Sequence, residues 1–89
     1  MLKPVYAKQF NKDIKRSKKR GKDLEKLKDV ICLLAEKKKL PVKNKDHKLT
    51  GNFHEYRECH IEPNWLLIYK IEGRYIFFVR TGTHSDLFE

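Results

Sequence analysis

The second half of the chain gathers side chains suited to moving protons around a phosphate. From Tyr56 to Trp65 it reads Tyr-Arg-Glu-Cys-His-Ile-Glu-Pro-Asn-Trp, which supplies an imidazole, a guanidinium, carboxylates and an indole. His47 and His84 flank this stretch, and Arg80 lies just before His84. An unperturbed imidazole titrates near about 6.5, so at neutral pH it serves as either base or acid. Arginine adds fixed, forked donors for phosphate oxygens. RNA brings its own nucleophile, the 2′-hydroxyl. Its cleavage needs a base for that proton, an acid for the departing 5′-oxygen and a cation for the charge on the phosphate. The sequence offers all three, and it lacks the clustered carboxylates that a two-metal nuclease requires.

The four histidines do not weigh equally. His54 reads as a surface or hydrogen-bonded structural residue. His60 falls at a strand end, and His84 follows Thr81-Gly82-Thr83, where glycine permits a sharp change of direction and close approach of backbone amides to a phosphate. His47, in a loop between lysines, reads equally well either way. His47, His60 and His84 are zinc ligands by type, but no pair has a ligand spacing, so neither metal nor cofactor is expected. In an alternating strand His60 shares a face with Glu58, Tyr56 and His54, whereas Arg57 and Cys59 point the other way; Arg80 shares a face with Phe78 and Ile76. Trp65 and Tyr69 read first as core residues. Trp65 nevertheless joins Asn64, Lys45, Lys48 and Thr83 as the set placed to contact a substrate, since aromatic rings hold unstacked bases and lysines meet phosphates.

These groups need a scaffold. Leu2 to Tyr6 alternates like a strand, and Pro4 suits an edge. From Ala7 the spacing turns helical, with Phe10 and Ile14 one turn apart and Asn, Lys and Asp between them; Gly21 suits the C-terminal cap. Asp23 can cap a second helix, in which Leu24, Leu27, Val30, Ile31 and Leu34 form one apolar stripe. The basic connection Lys37–Lys45 is kept out of helix by Pro41. Three strands follow, about Phe53–Ile61, Trp65–Ile71 and Tyr75–Arg80, joined by Glu62-Pro63-Asn64 and Glu72-Gly73-Arg74 as tight hairpins. Trp65-Leu66-Leu67-Ile68-Tyr69 is apolar on both alternating faces, which makes it the central strand. The expectation is one α+β domain over residues 1–89, in the order β-α-α-β-β-β. A two-helix hairpin packs on one face of a mostly antiparallel four-stranded sheet, and the other face is the working surface.

Charge divides the chain in the same place. Residues 1–45 hold 16 Lys and Arg against 5 Asp and Glu, whereas residues 46–89 hold 5 against 7. One half is built to meet a polyanion, and the other carries the titratable groups. At 89 residues there is no room for a second core. No apolar run is long enough to cross a membrane, and the opening Met-Leu-Lys-Pro has no secretory pattern. Cys32 and Cys59 fit no metal spacing and read as buried thiols of a reduced, cytoplasmic protein.

Four stretches together resemble the YafQ-like branch of the RelE/ParE superfamily of toxin–antitoxin systems. They are Lys45–Gly51, Tyr56–Pro63, Trp65–Tyr69 and Arg80–Phe88, and the resemblance covers essentially the whole chain. It implies a RelE-like fold, and an endoribonuclease that cuts mRNA in the ribosomal A site. It also implies a cognate antitoxin that wraps the toxin and blocks the site. By position, the implied catalytic set is His47, His60, His84, Arg80 and Phe88. The family commonly has an acidic residue where this chain has Asn64. Asparagine cannot transfer a proton, so His60 and His84 would form the acid–base pair without it. The basic helices and Lys37–Lys45 would dock on ribosomal RNA. Two other readings stay open at this point: a toxin of the same fold that inhibits a protein such as a gyrase, and a catalytically silent nucleic-acid-binding module.

Overall fold

Strand β4, Trp65–Glu72, is the spine of the molecule, and its first five residues are all buried. The computed structural model describes residues 1–51 and 55–88. Around β4 the elements are β1 (Lys3–Tyr6), α1 (Lys8–Lys19), α2 (Leu24–Ala35), β2 (His47–Lys48), β3 (Arg57–Glu62), β5 (Tyr75–Gly82) and α3 (His84–Phe88). The sheet order is β1-β5-β4-β3-β2. β1 runs parallel to β5, as a crossover through a helical hairpin allows, and the other neighbours are antiparallel.

The sheet thus has five strands rather than the expected four. The extra one is β2, which pairs His47 with Glu58 and Lys48 with Arg57. Two charged or titratable residues carry no alternation that a sequence pattern could register. β3 begins at Arg57; Phe53 and His54, placed in that strand from sequence, lie outside the described residues. α2 ends at Ala35, well before Pro41, with Lys37 at φ 60°; the connection then makes a 3-10 turn at Val42–Asn44, closed by Lys45 at φ 46°.

The helices cover one face. Cys59, Trp65, Leu67, Tyr69, Ile76 and Phe78 from the sheet meet Phe10 of α1 and Leu27, Val30 and Leu34 of α2. The Phe78 ring lies 5.6 Å from Tyr6 and 5.9 Å from Phe10, within the range of favourable aromatic pairs. Asp23 caps α2 by accepting from the Glu25 amide. Burial pushes the Cys59 thiol up to about 12, which keeps it an inert core group. Cys32, expected to be buried, is exposed on the outer side of α2.

Two irregularities set which side chains reach the open face. Ile68 pairs with Arg80 but Tyr69 pairs with Phe78, so Val79 is an inserted residue on β5. Paired residues point to the same side, so Arg80 stands with Ile68 and Glu58 rather than with Phe78 and Ile76, where simple alternation would put it. A second bulge, at Ile61, lets β3 turn toward the helices before Pro63-Asn64. There Glu62 accepts from Lys22 and Lys26 at 3.2 and 3.0 Å, and these bonds hold its carboxyl below the usual range. No helix among the described residues is long and apolar enough to cross a membrane.

Candidate active site

On the open face the register builds two rows: His60–Leu66–Gly82 and, beside it, His47–Glu58–Ile68–Arg80. Leu66 and Ile68 form a buried apolar floor between the polar ends. The ring centroids of His47 and His60 are 6.3 Å apart, and those of His60 and His84 are 6.0 Å apart. Three histidines remote in sequence therefore stand as one line of imidazoles. Arg80 is two strands from Glu58, roughly 10 Å across the sheet at the usual strand spacing.

Each ring is held at Nδ1. The His47 Nδ1 is 2.6 Å from the Lys45 carbonyl, and the His60 Nδ1 is 3.3 Å from the Pro63 carbonyl. Carbonyls only accept, so both nitrogens carry hydrogen. For His84 the partner is the Asn64 Oδ1, at 2.9 Å. The backbone amide of His84 also donates to that oxygen at 3.3 Å, which fixes the orientation of the Asn64 amide. All three imidazoles are thus tied back at Nδ1, which leaves Nε2 as the second nitrogen of each ring. For His47 and His60 that nitrogen faces the same atom, Oε1 of Glu58, at 3.5 Å in both cases. Glu58 is buried and was not singled out by sequence reasoning, although its place two residues before His60 on one strand was visible.

The frame behind these contacts is also polar. Asp46 accepts from the Tyr69 hydroxyl and from Arg57, anchoring the residue next to His47. Burial and then the Asp46 bond push the Tyr69 phenol above its usual range. At the other end, Arg20 donates to Asp86 at 2.7 and 3.2 Å, and the Thr83 amide donates at 2.9 Å. The Arg20 bond is the largest cause holding the Asp86 carboxyl far below the carboxylate range. A depressed native value stabilises the fold fully above the ordinary 3.8 and progressively less as acid protonates the group. The stability difference between the parent and Asp86→Asn should therefore shrink as pH falls below about 4 in urea titrations followed by circular dichroism. A difference that stays constant down to strong acid would disprove the coupling.

Other residues expected to meet substrate are placed as follows. Phe88 is one helical turn beyond His84 on α3 and stays exposed. Asn64 is exposed, and its Oδ1 orients His84. The Lys45 carbonyl orients His47. Three assignments need correction. Trp65 is 1% exposed, with its indole N–H donating to Thr81 Oγ1 at 3.0 Å, so it cannot stack on a base. The Thr83 amide and hydroxyl are engaged by Asp86 at the start of α3 rather than aimed at a phosphate. Lys48 pairs with Arg57, on the face opposite the imidazoles.

A small basic α+β domain with a line of imidazoles and a guanidinium on its open sheet face has the outline of the RelE-like toxins. The sequence pattern of the family described as "bacterial toxin of type II toxin-antitoxin system, YafQ" matches residues 2–89, and the chain belongs to that family. The mRNA interferase toxin YafQ of Escherichia coli strain K12 is 46% identical over 84 residues, covering 93% of this chain and 91% of that protein. The crystal structure of YafQ from E. coli BL21(DE3) superposes with a TM-score of 0.94 at 42% identity, covering all of both chains. In the E. coli DinJ–YafQ toxin–antitoxin complex the matching chain gives 0.91 at 44% identity, covering 99% of this chain and 98% of that one.

Proposed function

We propose that this toxin is a metal-independent, ribosome-dependent endoribonuclease that cuts mRNA in the cytoplasm and is silenced by a cognate antitoxin. The observation that carries the reading is the 6.0 Å approach of the His60 and His84 rings, each with Nδ1 tied back. One of the two takes the 2′-hydroxyl proton as the 2′-oxygen bonds to phosphorus. The other protonates the 5′-oxygen as its bond to phosphorus breaks. Arg80 holds the charge that builds on the phosphate oxygens, and Phe88 lies beside the reacting nucleotides. Two imidazoles and a guanidinium supply base, acid and clamp, so the chemistry calls for no ion. Antitoxin binding is supported by the DinJ partnership of the E. coli relative. The excess of lysine and arginine in residues 1–45 fits docking on ribosomal RNA.

The test is purified toxin in a translating extract, with and without chelator, with message ends mapped by primer extension. Cuts should appear in both arms and leave 2′,3′-cyclic phosphates. A message with a single 2′-deoxy nucleotide at the cut should survive. Cleavage of that substituted message would end the proposed mechanism, and a fully intact natural message would favour a protein target instead.

A further inference from the structure

Helix α1 contributes a buried carboxylate beside Arg80. Asp13 has no exposed surface, yet it sits in a helix otherwise dressed with lysine and arginine. It accepts from Arg80 Nε at 2.7 Å and from Arg80 Nη2 at 3.3 Å. It also accepts from the Thr81 amide at 3.2 Å. β1 pairs with β5 only as far as Phe78, so beyond the bulge β5 has no neighbouring strand on that side. Asp13 fills the gap and takes an amide that a strand would otherwise pair.

Satisfying one amide does not call for a charge, and burying a carboxylate is costly unless a cation answers it. Two cations answer it, Arg16 within α1 and Arg80 from β5; Arg80 is gripped along its Nε–Nη2 edge, so that Nη1 and the outer edge point away from α1. Behind Asp13 the charges alternate along the helix. Arg16 Nη2 is 3.1 Å from Asp13 Oδ1 and 3.6 Å from Asp86 Oδ2, and Asp86 is in turn held by Arg20 at 2.7 Å. Gly82 lets the strand lie against this chain; a Cβ there would meet Asp86 Oδ2 at 2.8 Å and Arg16 Nη2 at 3.0 Å.

We propose that Asp13 is a positioning residue for cleavage: it fixes the plane of the Arg80 guanidinium so that its outer edge meets the scissile phosphate. This rests on the reading of Arg80 as the phosphate-holding cation. An arginine free to swing would meet the phosphate in many orientations, and the ordering would then be done at the moment of reaction.

The experiment is a double-mutant cycle with Asp13→Asn and Arg80→Ala, read as single-turnover cleavage on translating ribosomes. Asp13→Asn should lower the maximal rate roughly 10- to 100-fold with little change in half-saturating toxin concentration. In the Arg80→Ala background the same change should add almost nothing, whereas a merely structural Asp13 would lose its full factor again. A parental rate for Asp13→Asn alongside a slow Arg80→Ala overturns the positioning role and leaves Arg80 intact. A parental rate for Arg80→Ala overturns both. Should Asp13→Asn fail to fold, Arg80→Lys decides the matter. A lysine paired with Asp13 cannot also present a forked edge, so its rate should approach that of Arg80→Ala. A rate near the parent's would refute the proposal.

Discussion

Replacing His60 or His84 by alanine should slow message cleavage by roughly 100- to 10,000-fold, the range that a positioned acid or base contributes. The loss should fall on the rate rather than on folding. Neither ring belongs to the core cluster, and His84 rides on the outer side of α3. His60→Ala removes one of the two imidazoles beside Glu58 but leaves His47 facing that carboxylate, so its cost in stability is modest. The double variant should be little slower than the worse single one, because acid and base act in one step. Primer-extension rates beside thermal melts would check this. Normal rates in both single variants would mean that the proton-transfer groups lie elsewhere.

Much of this architecture could be read directly from the residues. The helical hairpin announced itself through Gly21, Asp23 and the Leu24–Leu34 stripe. The central strand showed in the apolar run from Trp65, and the His60–His84 neighbourhood in the proline and glycine turns beside each ring. The misses share a cause: each depends on tertiary pairing that local pattern does not encode. Alternation put Arg80 with Phe78, and only the pairing of β5 with β4 reveals that Val79 is inserted. β2 exists because the loop at His47 meets β3, not because two residues favour extension. Asp13 reads in sequence only as one of the polar positions between Phe10 and Ile14. The buried positions Phe10, Asp13 and Ser17 are separated by three and four residues, which is helical spacing. A carboxylate on that stripe was therefore a signal for a buried partner, though not for which arginine. Glu58 was passed over in the same way. It sits two residues before His60, and a carboxylate on the histidine face needs a reason to be there.

Trp65 carries two readings in the sequence, and the fold decides between them. From sequence it reads first as a core residue and second as a base-stacking candidate, and the fold upholds the first: it is 1% exposed and packs in the cluster with Phe10, Leu27 and Leu67. Trp65→Ala should cost about 3–5 kcal/mol, as for other large aromatic truncations in cores. Domains of this kind have only about 5–15 kcal/mol in total, so the variant should be largely unfolded or melt far below the parent. Trp65→Phe separates packing from recognition. It keeps most of the buried ring and loses the indole donor to Thr81, a loss of about 1 kcal/mol. Thr81 retains its own bond to the Leu66 carbonyl, at 2.7 Å, so β4 and β5 stay in register and the Arg80–Asp13 grip next to them is undisturbed. The phenylalanine variant should therefore cleave at close to the parental rate while melting slightly lower. If the alanine variant instead melted like the parent and bound messages weakly, the tryptophan would have to leave the core and contact RNA, and the packing described for β4 would be wrong.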